Sequence, residues 1–242
     1  MANRGTLIWE RLERESGEKP ALSVDRIVHA AIRIADGEGL DAVSMRRVAG
    51  ELGSGTMSLY RHVSGKDDLL DLLLDAAFGE IPLPGKPSRN WQSSLRLAAR
   101  ETRVVMKRHP WLAGLLSRRP PLGPNYLRHF EFLLASVSAL DLDIRAATRM
   151  VGTLYVFVMG YVGFELSEQE SYQRAGMTEE ERRRAVAPYM DRVIATGRFP
   201  NLARFLVSGA EMPDDRGFEF GLDCVLDGMA AKVKPRRRRR VT

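Results

Sequence analysis

The sequence predicts an all-α protein in which a short N-terminal unit of three packed helices precedes a larger helical domain. Three observations carry that expectation. Apolar residues recur at three- and four-residue steps, no stretch sustains the two-residue alternation of a half-buried strand, and two short helical segments meet through Gly53-Ser54-Gly55. No repeat at a fixed period is visible. With 242 residues, 44% of them apolar, the chain is long enough for a real core in one or two domains.

Residues 1–22 read as a charged arm with partial disorder, since Glu10, Arg11, Glu13, Arg14 and Glu15 mix signs before Lys19-Pro20. Val24, Ile27, Val28, Ala31 and Ala35 then define the apolar stripe of a first helix, started by Ser23 and ended by Gly37 or Gly39. Ser44 is placed to cap a second helix carrying Val48 and Leu52, and Gly53 stops it because glycine adopts a left-handed backbone at least cost. Thr56 to about His62 is left for a third helix. Ser64, with Asp67 three residues on, resembles the capping box of a fourth, whose Leu69, Leu70, Leu72, Leu73 and Ala76 lead into the core.

Pro82, Pro84, Gly85 and Pro87 break the chain, after which residues 91–109, 127–140, 144–165, 179–196 and 218–229 read as helices. Thr178 and Glu181 form a capping box, and Glu179 is spaced to pair with Arg183. The expected divisions are an arm (1–22), a three-helix head (23–70), a larger domain (71–234) and a basic tail (235–242).

The net charge of +6 does not by itself argue for nucleic acid. Seven Lys and Arg lie in residues 232–242, and without them the chain carries −1. That tail either contacts phosphates without sequence preference or is simply solvated. The single cysteine, Cys224, permits no intramolecular disulfide, and no secretory signal opens the chain, so a cytoplasmic protein is expected. The longest apolar run, residues 151–164, is too short for a bilayer and is expected to be a buried helix, with no membrane partner. Enzyme motifs are absent. His29, His62, His109 and His129 show no metal-ligand spacing, no phosphate loop exists, and the lone GxGxxA of residues 37–42 ends a helix instead of following a strand.

Two short helices joined through Gly53-Ser54-Gly55 and buttressed by a third make a helix-turn-helix, whose second helix enters the major groove of DNA. In that helix Leu59 and Val63 share the inward face, which turns Met57 and Arg61 outward with Ser58 and Tyr60 at the flanks. The series Leu52-Gly53, Leu59-Tyr60-Arg61-His62-Val63, Lys66 and Leu69-Leu70 resembles the signature of the tetracycline-repressor (TetR) family, over roughly residues 24–78. The resemblance implies an N-terminal helix-turn-helix DNA-binding domain and a C-terminal helical domain for ligand binding and dimerisation. It also implies that Thr56 and Met57 face base edges, that Arg46 reaches a guanine or a phosphate, and that Tyr60, His62 and Lys66 hold the backbone. Ser44, Ser58 and Arg61 complete the expected DNA-facing set. For Thr56 and Ser58 helix capping is the alternative role, and for His62 packing toward the core.

Residues 151–164 are apolar on all sides and must be enclosed by their own domain or a partner. A second apolar surface follows at Phe218, Leu222, Val225, Leu226 and Met229. In the family two such helices pair across a two-fold axis, which implies a homodimer through Val151, Tyr155, Val158, Phe218, Leu222, Val225 and Met229, and a palindromic operator in double-stranded DNA. His109-Pro110-Trp111 and the Ser117–Gly123 loop are similar to the family's inducer domain. A cavity lined by Trp111, Phe130, Met150, Leu154 and Phe157, with Tyr161 as a polar handle, would take a small apolar or aromatic inducer. Pro82 stands where the tetracycline repressor has a magnesium-associated histidine, so neither tetracycline nor a metal or other cofactor is expected. The resemblance thus implies a repressor released by an inducer, and the competing reading is a helical scaffold whose helix-turn-helix is only structural.

Overall fold

The computed structural model describes residues 7–14, 22–176, 178–208 and 214–233, among which lie twelve α-helices, one 3₁₀ turn and no strand. The order is α1 (Ile8–Arg14), α2 (Val24–Glu38), the 3₁₀ turn Leu40–Ala42, α3 (Met45–Glu51), α4 (Thr56–Tyr60) and α5 (Lys66–Gly79). Then come α6 (Trp91–Arg108), α7 (Trp111–Leu116), α8 (Pro124–Val137), α9 (Ile144–Ala175), α10 (Glu179–Ala195), α11 (Pro200–Ser208) and α12 (Asp215–Lys232). The expected basic tail, residues 235–242, lies outside the described residues, as does the side chain of Glu179 in its expected pair with Arg183.

Helices α2, α3 and α4 form the head, and their ends follow local chemistry. Ser23 Oγ accepts from the Arg26 N–H (3.3 Å) and Ser44 Oγ from the Arg47 N–H (3.1 Å). Gly53, at φ 60, turns the chain out of α3. Leu59 and Val63 have no exposure and join Ile27 and Val48 in the core. The start of α5 differs from the capping box expected at Ser64. Gly65 occupies the N-cap position, and the Asp68 carboxylate accepts from the Ser64 N–H (3.2 Å).

The larger domain packs α5 on α8, α6 on α8 and α9, and α9 on α12. Several elements exceed the sequence expectation. The arm contains α1, whose Ile8 is 2% exposed and shares the core, and α7 and α11 were not foreseen. Helix α9 runs for 32 residues, well past residue 165. By length and composition its segment Ile144–Glu168 could cross a membrane, although Val151, Leu154, Val158 and Val162 face the protein core. The division expected at residue 70 falls inside α5, which packs against α2 as well as α8.

Polar ties hold the head to the rest. Both ring nitrogens of the buried His109 face carboxylates, Nδ1 with Asp36 of α2 (2.8 Å) and Nε2 with Glu80 after α5 (3.1 Å). Trp111 Nε1 donates to the same Asp36 oxygen (2.7 Å). Burial alone would raise the Glu80 carboxyl, but hydrogen bonds from His109 and Arg108 outweigh it and hold the group below its ordinary range. Arg119 donates to Asp71 (2.6 Å) and to Asp67 near the start of α5.

Asp75, in the middle of α5, accepts from the Tyr126 N–H (3.0 Å) and from Asn125 Nδ2 (2.8 Å), so one helix caps the N-terminus of another. Burial pushes its carboxyl up, and these hydrogen bonds oppose the shift only in part. The approach is close enough that a Cβ at Gly123 would collide with the Asp75 carboxylate. Gly123→Ala is therefore expected to expel that carboxylate and leave buried groups unpaired, at a cost of about 2 kcal/mol read by thermal or urea unfolding. An unchanged midpoint would show that the junction yields without cost.

Candidate nucleic-acid interface

The outer surface of the head gathers most of the residues expected there. Met57 is 75% exposed and Tyr60 45%, on the face of α4 opposite Leu59. Arg46, Arg61 and Lys66 are exposed, whereas Ser44, Thr56, Ser58 and His62 are half-buried. Neither Thr56 nor Ser58 caps α4, since Gly55 holds that position, while Ser44 does cap α3. His62 lies in the turn after α4.

Adjacent arginines are sorted by their neighbours. Arg47 is held by Glu38 (2.6 Å) and Glu51 (3.0 Å), and its hydrogen bonds lower the Glu38 carboxyl. Arg46, Arg61 and Lys66 have no ion pair with any described residue, so their charges face solvent. The acids beside Lys66 are engaged, Asp67 by Arg119 and Asp68 by the Ser64 amide. A cationic, partly apolar surface of this kind can accept a polyanion and touch base edges together.

The six residues expected to line one inducer cavity do not share one. Trp111 is bound to Asp36 and borders a cleft of about 560 Å³ beside α2. Leu154 is core, and Phe157 packs on Phe218 with ring centroids 5.5 Å apart. The Tyr161 hydroxyl donates to the Asp214 carbonyl (2.7 Å). Phe130 stacks on Tyr126 (6.0 Å). Met150 borders an apolar groove of about 490 Å³ with Leu142, Val225 and Met229. Sequence spacing identified apolar helix faces but not which neighbour each one meets.

The same reason displaces the expected dimer residues. Val151, Val158, Phe218, Leu222 and Met229 are at most 7% exposed within the protomer, so they offer little surface to a partner. Val225 is half-buried in the groove, and burial, with Tyr126 of α8 nearby, pushes the Tyr155 hydroxyl up. The outward faces of α9 and α12 instead present Val156 (69% exposed), Phe164 (51%) and Phe220 (71%) beside exposed Cys224.

A three-helix head whose short α4 is exposed among the unpaired cations Arg46, Arg61 and Lys66, on a helical body, defines a DNA-binding transcriptional regulator of the helix-turn-helix class. Residues 27–73 match the model for bacterial regulatory proteins of the tetR family, and residues 83–233 match the tetracyclin repressor-like C-terminal domain. The chain belongs to the TetR family of transcriptional regulators. It is 40% identical over 240 residues to the HTH-type transcriptional repressor DrrR1 of Streptomyces coeruleorubidus, covering 96% of this chain and 86% of that one. An HTH-type transcriptional regulator of Saccharopolyspora erythraea is 36% identical, over 93% of this chain and 91% of its own. Among solved structures, apo ActR of Streptomyces coelicolor matches with TM-score 0.73 and 33% identity, over 88% of this chain and 97% of its own. ActR in complex with actinorhodin matches with TM-score 0.73 and 31% identity, over 89% and 98%.

One buried group missed by the cavity expectation is His129 of α8, 4% exposed, whose Nδ1 has no hydrogen-bond partner. Burial, helped by Arg128, lowers its pKa from the ordinary 6.5 to about 4. As pH falls below about 6.5 the unfolded chain binds a proton that the folded chain refuses until about pH 4, so stability declines across that window. Between neutral pH and about pH 4.5 the wild type should lose about 2 kcal/mol more than His129→Phe, by urea unfolding. Equal losses would mean that His129 takes up its proton in the folded state.

Proposed function

We propose that this regulator is a repressor that binds a palindromic operator as a homodimer and is released by a small apolar or aromatic inducer. The observation that carries this reading is the surface of Arg46, Met57, Tyr60, Arg61 and Lys66, exposed around α4 while neighbouring Arg47 is neutralised. In the complex Thr56 and Met57 face base edges, Met57 covering a thymine methyl, and Arg46 reads a guanine or grips a phosphate. Tyr60, His62 and Lys66 contact the backbone, with Ser44, Ser58 and Arg61 beside them. The site of action is the cytoplasm, where the operator is.

A second copy is what the exposed stripes of α9 and α12 fit. Val156, Gly160 and Phe164 follow at four-residue steps on α9, Phe220 and Cys224 are one such step apart on α12, which packs on α9, and a two-fold axis between these faces would bury both. Two heads about 34 to 36 Å apart then meet successive major grooves on one side of B-DNA. Relatives support release by a ligand, since ActR binds actinorhodin in a solved complex. An inducer that binds one separation of the heads more tightly shifts the population away from the operator-bound state.

Fluorescence anisotropy with genomic fragments tests the reading. Saturable binding to one palindrome is expected, and equal affinity for every fragment would overturn it. Lys66→Ala should weaken binding to all operator variants alike and flatten the salt slope by about one unit. A changed base preference with an unaltered slope would exclude the phosphate role.

A further inference from the structure

The cleft of about 560 Å³ beside α2 has one wall from the head and one from the larger domain. The end of α2 and the 3₁₀ turn after it form the first wall, and α6, α7 and α9 contribute to the second. Its size lies within the range of about 300 to 1,000 Å³ common for small-molecule sites. Half-buried Leu40 and Leu166, with Pro110 and the Trp111 indole, give it apolar surface from both walls. Its charges are divided by wall. Carboxylates line the head side and cations the other, and most are already engaged. Asp36 accepts from His109 and Trp111, Glu38 holds Arg47, and Lys107 pairs with Glu165 (3.4 Å). The Asp41 carboxylate and the Arg118 guanidinium are left on opposite walls, neither with an ion pair or side-chain hydrogen bond to any described residue. Asp41 also follows the C-terminus of α2, whose last turn carries no basic residue, so the partial negative charge of that helix end adds to its own.

We infer that this cleft is a small-molecule site separate from the inducer site proposed for the larger domain, and that it takes an amphoteric aromatic molecule whose ammonium group meets Asp41 and whose carboxylate meets Arg118. The apolar middle of such a molecule lies against Leu40, Pro110, Trp111 and Leu166. A guanidinium offers a carboxylate two parallel N–H donors, and a carboxylate beside a helix C-terminus suits a cation. A ligand with one charge alone would leave the opposite wall unanswered. Because the walls belong to the head and to the larger domain, a bound molecule touches both at once and bears on the angle between them without passing through α5.

The test uses the full-length protein without DNA, so that failure to find an operator leaves its result intact. Calorimetric titration compares 4-(aminomethyl)benzoate with 4-methylbenzoate, which lacks the amine, and with 4-methylbenzylamine, which lacks the carboxylate. The wild type should bind the amphoteric probe about fivefold more tightly than either relative, the gain of one partly exposed ion pair. Asp41→Asn should erase the preference over 4-methylbenzoate and keep that over 4-methylbenzylamine, and Arg118→Gln should do the reverse. Both side chains are exposed and unpaired, so each variant should melt as the wild type does. Failure of the wild type to bind or to discriminate, preferences that survive in both variants because the probe sits elsewhere, or a melting point well below that of the wild type would each overturn the assignment.

Discussion

Helix α5 belongs to two cores at once, and the arrangement of the molecule depends on that sharing. Leu69, Leu72, Leu73, Leu74, Ala77 and Phe78 are all buried, which leaves little of its circumference free, with α2 of the head on one side and α8 of the larger domain on another. Polar contacts then tie its length. Arg119 holds the end next to the head, Asp75 caps α8 from the middle, and Glu80 after the far end meets His109, which also grips Asp36 of α2. A close-packed interior does not deform continuously, so a displacement of α8 is passed to α5 and the head as movement of a body. Such a connection can turn occupancy of the larger domain into a changed separation of two heads.

Electrostatics in the head work by removing charge from the wrong places as much as by presenting it. Arg46 and Arg47 are neighbours with the same side chain, yet Glu38 and Glu51 hold one against the head itself and leave the other facing outward. Asp67 and Asp68 would repel a phosphate near Lys66, but the first is countered by Arg119 and the second is turned to the Ser64 amide. Because exposed ion pairs contribute little to stability, these contacts matter chiefly for where charge remains uncompensated.

Asp75 and His129 are buried to the same degree, each 4% exposed, but they represent opposite uses of a polar group inside a protein. Asp75 receives two hydrogen bonds and fastens two helices, so its desolvation is offset by structure. His129 Nδ1 receives none and lowers stability in the free protein. A fold that keeps such a group has a local conflict, and conflicts of that kind concentrate at sites of function.

The sequence by itself determined whatever depends on residues within a turn of one another. Caps at Ser23, Ser44 and Thr178, the left-handed Gly53 and the outward Met57 and Arg61 of α4 were all legible, because a side chain three or four positions away fixes them. The head and its outward-facing residues were therefore readable in advance. Tertiary structure alone decided which surface each apolar face meets. It drew Ile8 of the presumed arm into the core, bound Trp111 to Asp36, turned Phe218 and Leu222 inward while leaving Phe220 outside, and left His129 without a partner. Periodicity reports that a helix face is apolar, but long-range packing chooses its neighbour, and no local rule contains that choice.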